Sequence, residues 1–287
     1  MARQVFLNDK LIDMDEARLS VTDSGFLYGA GLFETMRSRN GVVFRLSDHL
    51  DRLFQSAAAL SIVHPYEKPY IGEAVSKVLQ SNGLTEARLR LTLTNGPLAE
   101  SEEQRKPTLL ITATEFRPYP AEYYSAGALV ILCPFRQNPT DPTCGHKTTC
   151  YYPRLLALNL AHQKRAIEAL WFTTDNRLAE GCVSNVLLVK NGTLYTPPVE
   201  TPVLPGIARK TVRELASRQS IDLVEKDLYI TDVLEADEVF LTNVIMEVLP
   251  IMQVEKHTVG DGKVGPVAKK VRESFLQAIE QECGRQP

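Results

Sequence analysis

Apolar and polar positions alternate with a period of two over the first residues of the chain. Val5-Phe6-Leu7, the turn pair Asn8-Asp9 and Leu11-Ile12 predict a small hairpin. Residues 32–37 and 42–46 flank Asn40-Gly41, a dipeptide that accepts the positive φ of a two-residue hairpin turn. The period then becomes helical. With Ser47 as N-cap, Leu50, Leu53, Phe54, Ala57, Ala58 and Leu60 follow at helical spacing, and His49 and Arg52 fall nearer the boundary of that face. A second helix is expected over residues 67–80 and strands over 87–94 and 108–114. The first half therefore reads as a small α+β unit with hairpins.

Residues 116–127 hold two prolines, three tyrosines and no clear period. They suggest a division into a small N-terminal domain over 1–117, a linker over 118–127 and a larger domain over 128–287. The second half opens on a strand-like run, 128–133. A helix over 153–169 carries Leu155, Leu156, Leu158, Leu160 and Ala161 nearly all round, which predicts burial on most sides. Strands are expected over 169–173 and 183–189, the second ending at the turn Asn191-Gly192, and again over 239–242 and 248–252. Helices are expected over 207–218 and 266–282. No internal repeat is present.

With 32 basic and 35 acidic residues mixed along the chain, the net charge is −3 and no basic stripe speaks for nucleic acid. The N-terminus lacks the apolar core of a signal peptide, and no uncharged run approaches the ~20 residues of a membrane span. Five cysteines without a C-x-x-C pair read as buried free thiols rather than disulfides or a metal site. A cytoplasmic protein is expected.

Four places could carry chemistry. Lys147, between a predicted strand and a predicted buried helix, has small and hydroxyl neighbours and could lose its proton if desolvated. Glu180 stands at the mouth of an apolar strand beside Gly181. Leu204-Pro205-Gly206 runs straight into a helix, where first-turn amides and the helix dipole favour an anion. Arg52 could add a charged fork for the same anion.

Taken in order, Tyr-Gly-x-x-x-Phe-Glu from Tyr28, His-Leu-x-Arg-Leu from His49, Lys147, and Glu-Gly-x-x-x-Asn from Glu180 before Pro-Gly-Ile resemble the fold-type IV pyridoxal-phosphate enzymes. That family includes branched-chain aminotransferases, D-amino-acid aminotransferases and aminodeoxychorismate lyases. The likeness runs from residues 25–35 to 260–265. It implies a mixed α+β/α/β fold, a small N-terminal α+β domain beside a larger domain with a barrel-like mixed sheet, and a homodimer. It implies pyridoxal 5′-phosphate held as a Schiff base on Lys147, which also shuttles the proton between the substrate Cα and the cofactor's C4′. By the same resemblance Glu180 meets the ring nitrogen and Tyr152 the phenolic oxygen. Arg52 and the amides of Ile207 and Ala208 take the phosphate, and Asn243 and Val244 form a second phosphate-side loop. Relatives often carry threonine where this chain has Ala208 and near Val244, so two hydroxyl contacts worth ~1 kcal/mol each are absent.

Within the family the features divide. Thr35 after Glu34, and Thr242-Asn243, look like the lyases; Tyr152 and the 260–265 stretch look like the aminotransferases. The Arg-x-His pair that D-specific enzymes use has no match after Asn95-Gly96, where Pro97 and residues 98–101 follow. Arg88 and Arg90 share a strand face, being two apart, and Arg90 falls where branched-chain enzymes carry an arginine near the substrate carboxylate. Tyr28, Phe33 and Thr35 join it as expected substrate contacts. The favoured reading is a branched-chain-like amino-acid aminotransferase working by ping-pong transfer to a 2-oxo acid. The alternative is a lyase that releases pyruvate and 4-aminobenzoate, with a D-amino-acid aminotransferase or an inactive scaffold behind it. From hydropathy, Phe26, Leu27 and Phe33 are expected to be buried.

Overall fold

A computed structural model describes residues 3–97 and 106–284. The chain divides into two compact units, residues 1–117 with 146–150 and 279–287, and residues 118–145 with 151–278. The stretch after Pro97 that bears on D-specificity, 98–101, lies outside the described residues.

In the first unit, β1 (Gln4–Leu7) and β2 (Lys10–Asp13) form the expected hairpin, with Asn8 at φ 59°. A short helix, α1 (Ser24–Tyr28), is capped by Asp23, whose Oδ1 accepts from Gly25 N–H at 2.8 Å. β3 (Gly31–Arg39) and β4 (Val42–Val43) follow. The second strand of this hairpin is shorter than its pattern suggests, because Arg45 turns left-handed (φ 56°) and opens α2 (Leu46–Ala59) at once. Ser47 therefore sits inside the first turn and is not the cap. With α3 (Lys68–Ser81), β5 (Ala87–Thr94) and β6 (Leu109–Glu115), the strands form an antiparallel sheet in the order β2-β1-β6-β5-β3-β4. Alternate residues of the strands, among them Leu32, Met36, Leu89, Leu91 and Ile111, pack with Leu50, Leu53, Ile71 and Val75 into one core. The other parity of the same strands presents Phe33 and Thr35 beside Arg88, Arg90 and Thr92, with Thr35 paired to Arg90 and Phe33 to Thr92. Phe33 is buried as expected, but Phe26 is 74% exposed and Leu27 46%.

The second unit holds α4 (Glu122–Ser125), β7 (Ala128–Gln137), α5 (Tyr152–Gln163), β8 (Glu168–Thr173), β9 (Asn185–Lys190) and β10 (Thr193–Thr196). α6 (Ile207–Arg218), β11 (Leu223–Glu225), α7 (Ile230–Leu234), β12 (Glu238–Asn243), β13 (Glu247–Val254), β14 (His257–Thr258) and α8 (Pro266–Cys283) complete it, although the end of α8 is counted with the first unit. Its sheet is mixed, in the order β11-β10-β9-β12-β13-β7-β8 with β14 beside β13. The pairs β13/β7, β7/β8 and β10/β11 are parallel. Around 118–127 the tyrosines Tyr119, Tyr123 and Tyr124 pack against a core built on Leu188, Val239, Leu241 and Ile251, and Tyr124 Oη donates to the Met246 carbonyl at 3.1 Å. α5 ends at Gln163, not 169, because Arg165 takes φ 61° and the chain enters β8. Of its apolar residues Ala157 and Ala161 are buried, while Leu155 and Leu156 stay partly exposed; the leucine-rich run is not wrapped on most sides.

Cys133, Cys182 and Cys283 are buried, Cys144 is half-buried and Cys150 is exposed; all five are free. Among the described residues no helix is long and apolar enough to cross a membrane, and no histidine, cysteine and carboxylate cluster could hold a metal ion.

Candidate active site

In the first unit the chemistry gathers around α2. Its apolar stripe, Leu50, Leu53 and Ala57, enters the core, while His49, Arg52 and Ser56 form a second stripe at the same i, i+3, i+7 spacing, also buried. Buried polar groups must find partners. Arg52 donates Nε to Glu34 Oε1 at 2.8 Å and Nη2 to Oε2 at 2.5 Å. His49 Nδ1 lies 2.7 Å from Glu34 Oε2, and His146 Nδ1 lies 2.9 Å from Ser56 Oγ. Burial alone would raise the Glu34 carboxyl, but the Arg52 charge and the His49 hydrogen bond outweigh it and hold it at about 2. Burial pushes His49 below the ordinary histidine value, which leaves the imidazole neutral and its hydrogen on Nδ1, facing an oxygen that only accepts.

Lys147 is carried by 146–150, a segment pinned along β3. Phe33 N–H donates to the Lys147 carbonyl and Thr149 N–H to the Gly31 carbonyl, both at 2.8 Å, and Thr149 Oγ1 donates to the Gly29 carbonyl at 2.7 Å. The Lys147 ammonium lies 4.5 Å from the centre of the Phe33 ring, and the Arg90 guanidinium lies 3.9 Å from the same ring. Phe33, Thr35, Arg90 and Lys147 are thus brought together, while Arg52 is tied to Glu34 on the other parity of β3. Tyr28 ends α1 with its ring exposed.

In the second unit Glu180 is buried and both of its oxygens are engaged. Arg154 Nη2 donates to Oε1 at 2.5 Å, and the Leu204 N–H donates to Oε2 at 3.0 Å. Burial works against the Arg154 charge, yet Glu180 drives its pKa above the ordinary arginine value. Asn185 Nδ2 donates to the Leu204 carbonyl at 2.9 Å. The first and last residues of Glu-Gly-x-x-x-Asn therefore hold both sides of one residue, and so fix the turn that feeds α6. Gly206, the N-cap, offers no side-chain cap to the first-turn amides of Ile207 and Ala208. A Cβ at Gly206 would stand 1.9 Å from Asn185 Oδ1. Gly206→Ala is expected to destabilise the protein by ~1–3 kcal/mol through this overlap, and to weaken cofactor binding. Thermal unfolding and cofactor titration check both; a variant unchanged in either would show the turn free to move aside.

Asn243 shapes its own loop: Oδ1 accepts from the Ile245 and Met246 amides at 2.8 Å each, and Nδ2 donates to the Val183 carbonyl at 3.0 Å. Val244 beside it is buried. Tyr152 starts α5 with its ring 73% exposed. Its neighbour Tyr151 is the inward one, donating Oη to the Cys182 carbonyl at 2.7 Å, and burial raises its hydroxyl above the ordinary tyrosine value. Sequence reasoning gave no role to Glu34 or His49, although each lies within a quoted motif, nor to Arg154, two residues beyond Tyr152.

Glu168, at the start of β8, was also missed. Its Oε2 accepts from Val183 N–H at 3.3 Å, and burial pushes its carboxyl from 4.5 up to about 7 against the pull of such donors. As pH rises from 4.5 through about 7 the unfolded chain releases this proton first, so the folded state loses stability across that window. Glu168→Gln, neutral at every pH, is expected to lose less stability between about pH 5 and 8. Urea midpoints across that range check it, and parallel slopes in both proteins would count against a protonated Glu168.

The family model for class IV amino-transferases matches residues 31–254. A Methanocaldococcus jannaschii protein assigned as a branched-chain-amino-acid aminotransferase is 35% identical over 276 residues, 95% of each chain. The D-alanine aminotransferase of Listeria monocytogenes is 29% identical over 287 residues, 98% of each. The solved branched-chain amino acid aminotransferase of Escherichia coli superposes with a TM-score of 0.92 at 27% identity, covering 98% of this chain and 96% of that one. A homologous branched-chain enzyme has been solved with pyridoxamine 5′-phosphate. The chain belongs to the class IV aminotransferase family. Its fold is that of the fold-type IV enzymes, its cofactor is pyridoxal 5′-phosphate and its reaction is transamination. Each unit carries groups of the kind that cofactor needs: a lysine amine and a buried arginine fork in the first, a buried carboxylate and a helix start without a side-chain cap in the second.

Proposed function

We propose that this chain moves amino groups between branched-chain-like amino acids and 2-oxo acids by a ping-pong route, and that it works as a cytoplasmic homodimer. Bound pyridoxal phosphate supplies an electrophilic carbon for the amino group and a sink for the electron pair left at the substrate Cα. Lys147 would anchor the cofactor, and its amine would move the proton at the substrate Cα. Glu180 would face the ring nitrogen, and Tyr152 would donate to the phenolic oxygen. Arg52 and the first-turn amides of Ile207 and Ala208 hold the phosphate, with the Asn243–Val244 loop beside them. Tyr28, Phe33, Thr35 and Arg90 meet the substrate.

The observation that carries this reading is the Phe33 ring, which has the Lys147 amine and the Arg90 guanidinium packed on it within 4.5 Å. A cation for the carboxylate thus lies one ring from the amine that acts on Cα, and the ring offers an apolar side chain its wall. The 35% identical relative assigned to branched-chain amino acids supports the same choice. Exposed Val21, Phe26 and Tyr28 favour a second copy of the chain as the cover for this part of the first unit.

Incubating the holoenzyme with single amino acids tests the reading. L-leucine or L-valine is expected to shift the cofactor band to the pyridoxamine form, and a 2-oxo acid to reverse it. A shift with D-alanine alone would transfer the enzyme to D-substrates. No shift with any amino acid, with pyruvate released from aminodeoxychorismate, would make it the lyase.

A further inference from the structure

Arg52 is bonded along one edge, and that constrains what it can do. Glu34 takes its Nε and Nη2 together, and the same carboxylate receives His49 Nδ1. All three side chains are buried, and Glu34 and His49 are 1% exposed. His49 Nε2 is buried with no hydrogen-bond partner, so this imidazole spends its one hydrogen on Glu34. A guanidinium gripped on its Nε edge cannot rotate about its own axis, and its outer nitrogens face one direction.

We propose that Glu34 and His49 are positioning residues for the cofactor phosphate: Glu34 clamps Arg52 along its Nε edge, and His49 locks Glu34 by donating to a second lone pair of Oε2. This rests on the placing of Arg52 at the phosphate. The clamp withdraws part of the arginine's charge from the anion, and gives in exchange a fork already oriented before the phosphate arrives. A carboxylate beside a phosphate-binding arginine is otherwise unfavourable, since the two anions repel. The sequence logic matches the geometry: Phe-Glu on β3 and His-x-x-Arg on α2 meet because His49 and Arg52 stand one helical turn apart over the strand that bears Glu34.

The phosphate preference of the full chain tests the proposal. It is the ratio of the dissociation constants for pyridoxal and pyridoxal 5′-phosphate, measured after cofactor removal. Arg52→Met is expected to collapse the ratio. Glu34→Gln is expected to lower it about tenfold or more with pyridoxal affinity unchanged, and His49→Gln to lower it less. General damage to the fold would weaken both ligands equally and leave the ratio alone. If Arg52→Met lowers the ratio and Glu34→Gln does not, the clamp is refuted while Arg52 keeps its place at the phosphate. If Arg52→Met leaves the ratio intact, the phosphate reading fails first. Should the Glu34 variant not fold, nitrogen-15 spectra of wild-type holoenzyme decide. A histidine that titrates below the ordinary value with its hydrogen on Nδ1, absent from His49→Gln, supports the clamp. An Nε2–H tautomer, or titration at the ordinary histidine value, overturns it.

Discussion

Lys147→Ala is expected to bind cofactor without the absorbance of the lysine-linked form and to lose turnover by at least ~10³-fold, while remaining folded. The two halves of this expectation have separate causes. The fold survives because the segment is held through its backbone, by Phe33 N–H on the Lys147 carbonyl and by Thr149 on Gly31 and Gly29. Alanine keeps all of those bonds and forfeits a cation–π contact worth about 1–2 kcal/mol. Activity does not survive, because the side chain both attaches the cofactor and moves the substrate proton. Lys147→Arg separates charge from attachment: the cation above Phe33 remains, but guanidinium is not a nucleophile at neutral pH, so turnover should be as low as in the alanine variant. Absorbance spectra, single-turnover kinetics and thermal unfolding of both variants measure this. Wild-type turnover in either would remove Lys147 from the mechanism.

Short-range rules explain which parts of the fold were legible in the sequence. The hairpin over residues 4–13 and the shared face of Arg88 and Arg90 follow from a two-residue period, and β5 and β6 keep that parity in their pairing. The helix expected over 153–169 is present, but its burial was misjudged for the opposite reason. A run of leucines carries no information about what covers it, and Leu155 and Leu156 remain partly exposed. Ser47 has the right chemistry for a cap, but Arg45 makes the left-handed turn two residues earlier. The site divides in the same way. Motif order pointed to the cofactor, but the partners of the motif residues depend on pairings across the sheet that no spacing reveals. One signal was available: His49, Arg52 and Ser56 repeat at i, i+3, i+7 beside the apolar stripe. A polar stripe so close to the core must face partners, here Glu34 and His146.

Glu180→Gln is expected to retain cofactor and lose turnover by ~10²–10³-fold, an effect that comes from charge and not from shape. Glutamine fills the same volume and can still accept from the Leu204 N–H, so the turn into α6 should persist. What it cannot do is balance Arg154. The guanidinium is held at 2.5 Å by Glu180, and removing one partner of a buried pair costs about 3–5 kcal/mol. Arg154 also donates to the Gly181 carbonyl at 3.0 Å, which places the expected loss at the lower end of that range. In wild type the pair serves both ends: Arg154 gives the buried Glu180 a counter-charge, and a carboxylate is what a protonated ring nitrogen requires. Arg154→Met separates these contributions. It leaves the buried carboxylate in place without its counter-charge, so turnover should fall although Glu180 is still present. The pair of variants thus distinguishes a charged carboxylate at the ring from a carboxylate that only braces the Leu204 turn. If the turn is all that matters, Glu180→Gln keeps its turnover, and Arg154→Met turns over like wild type.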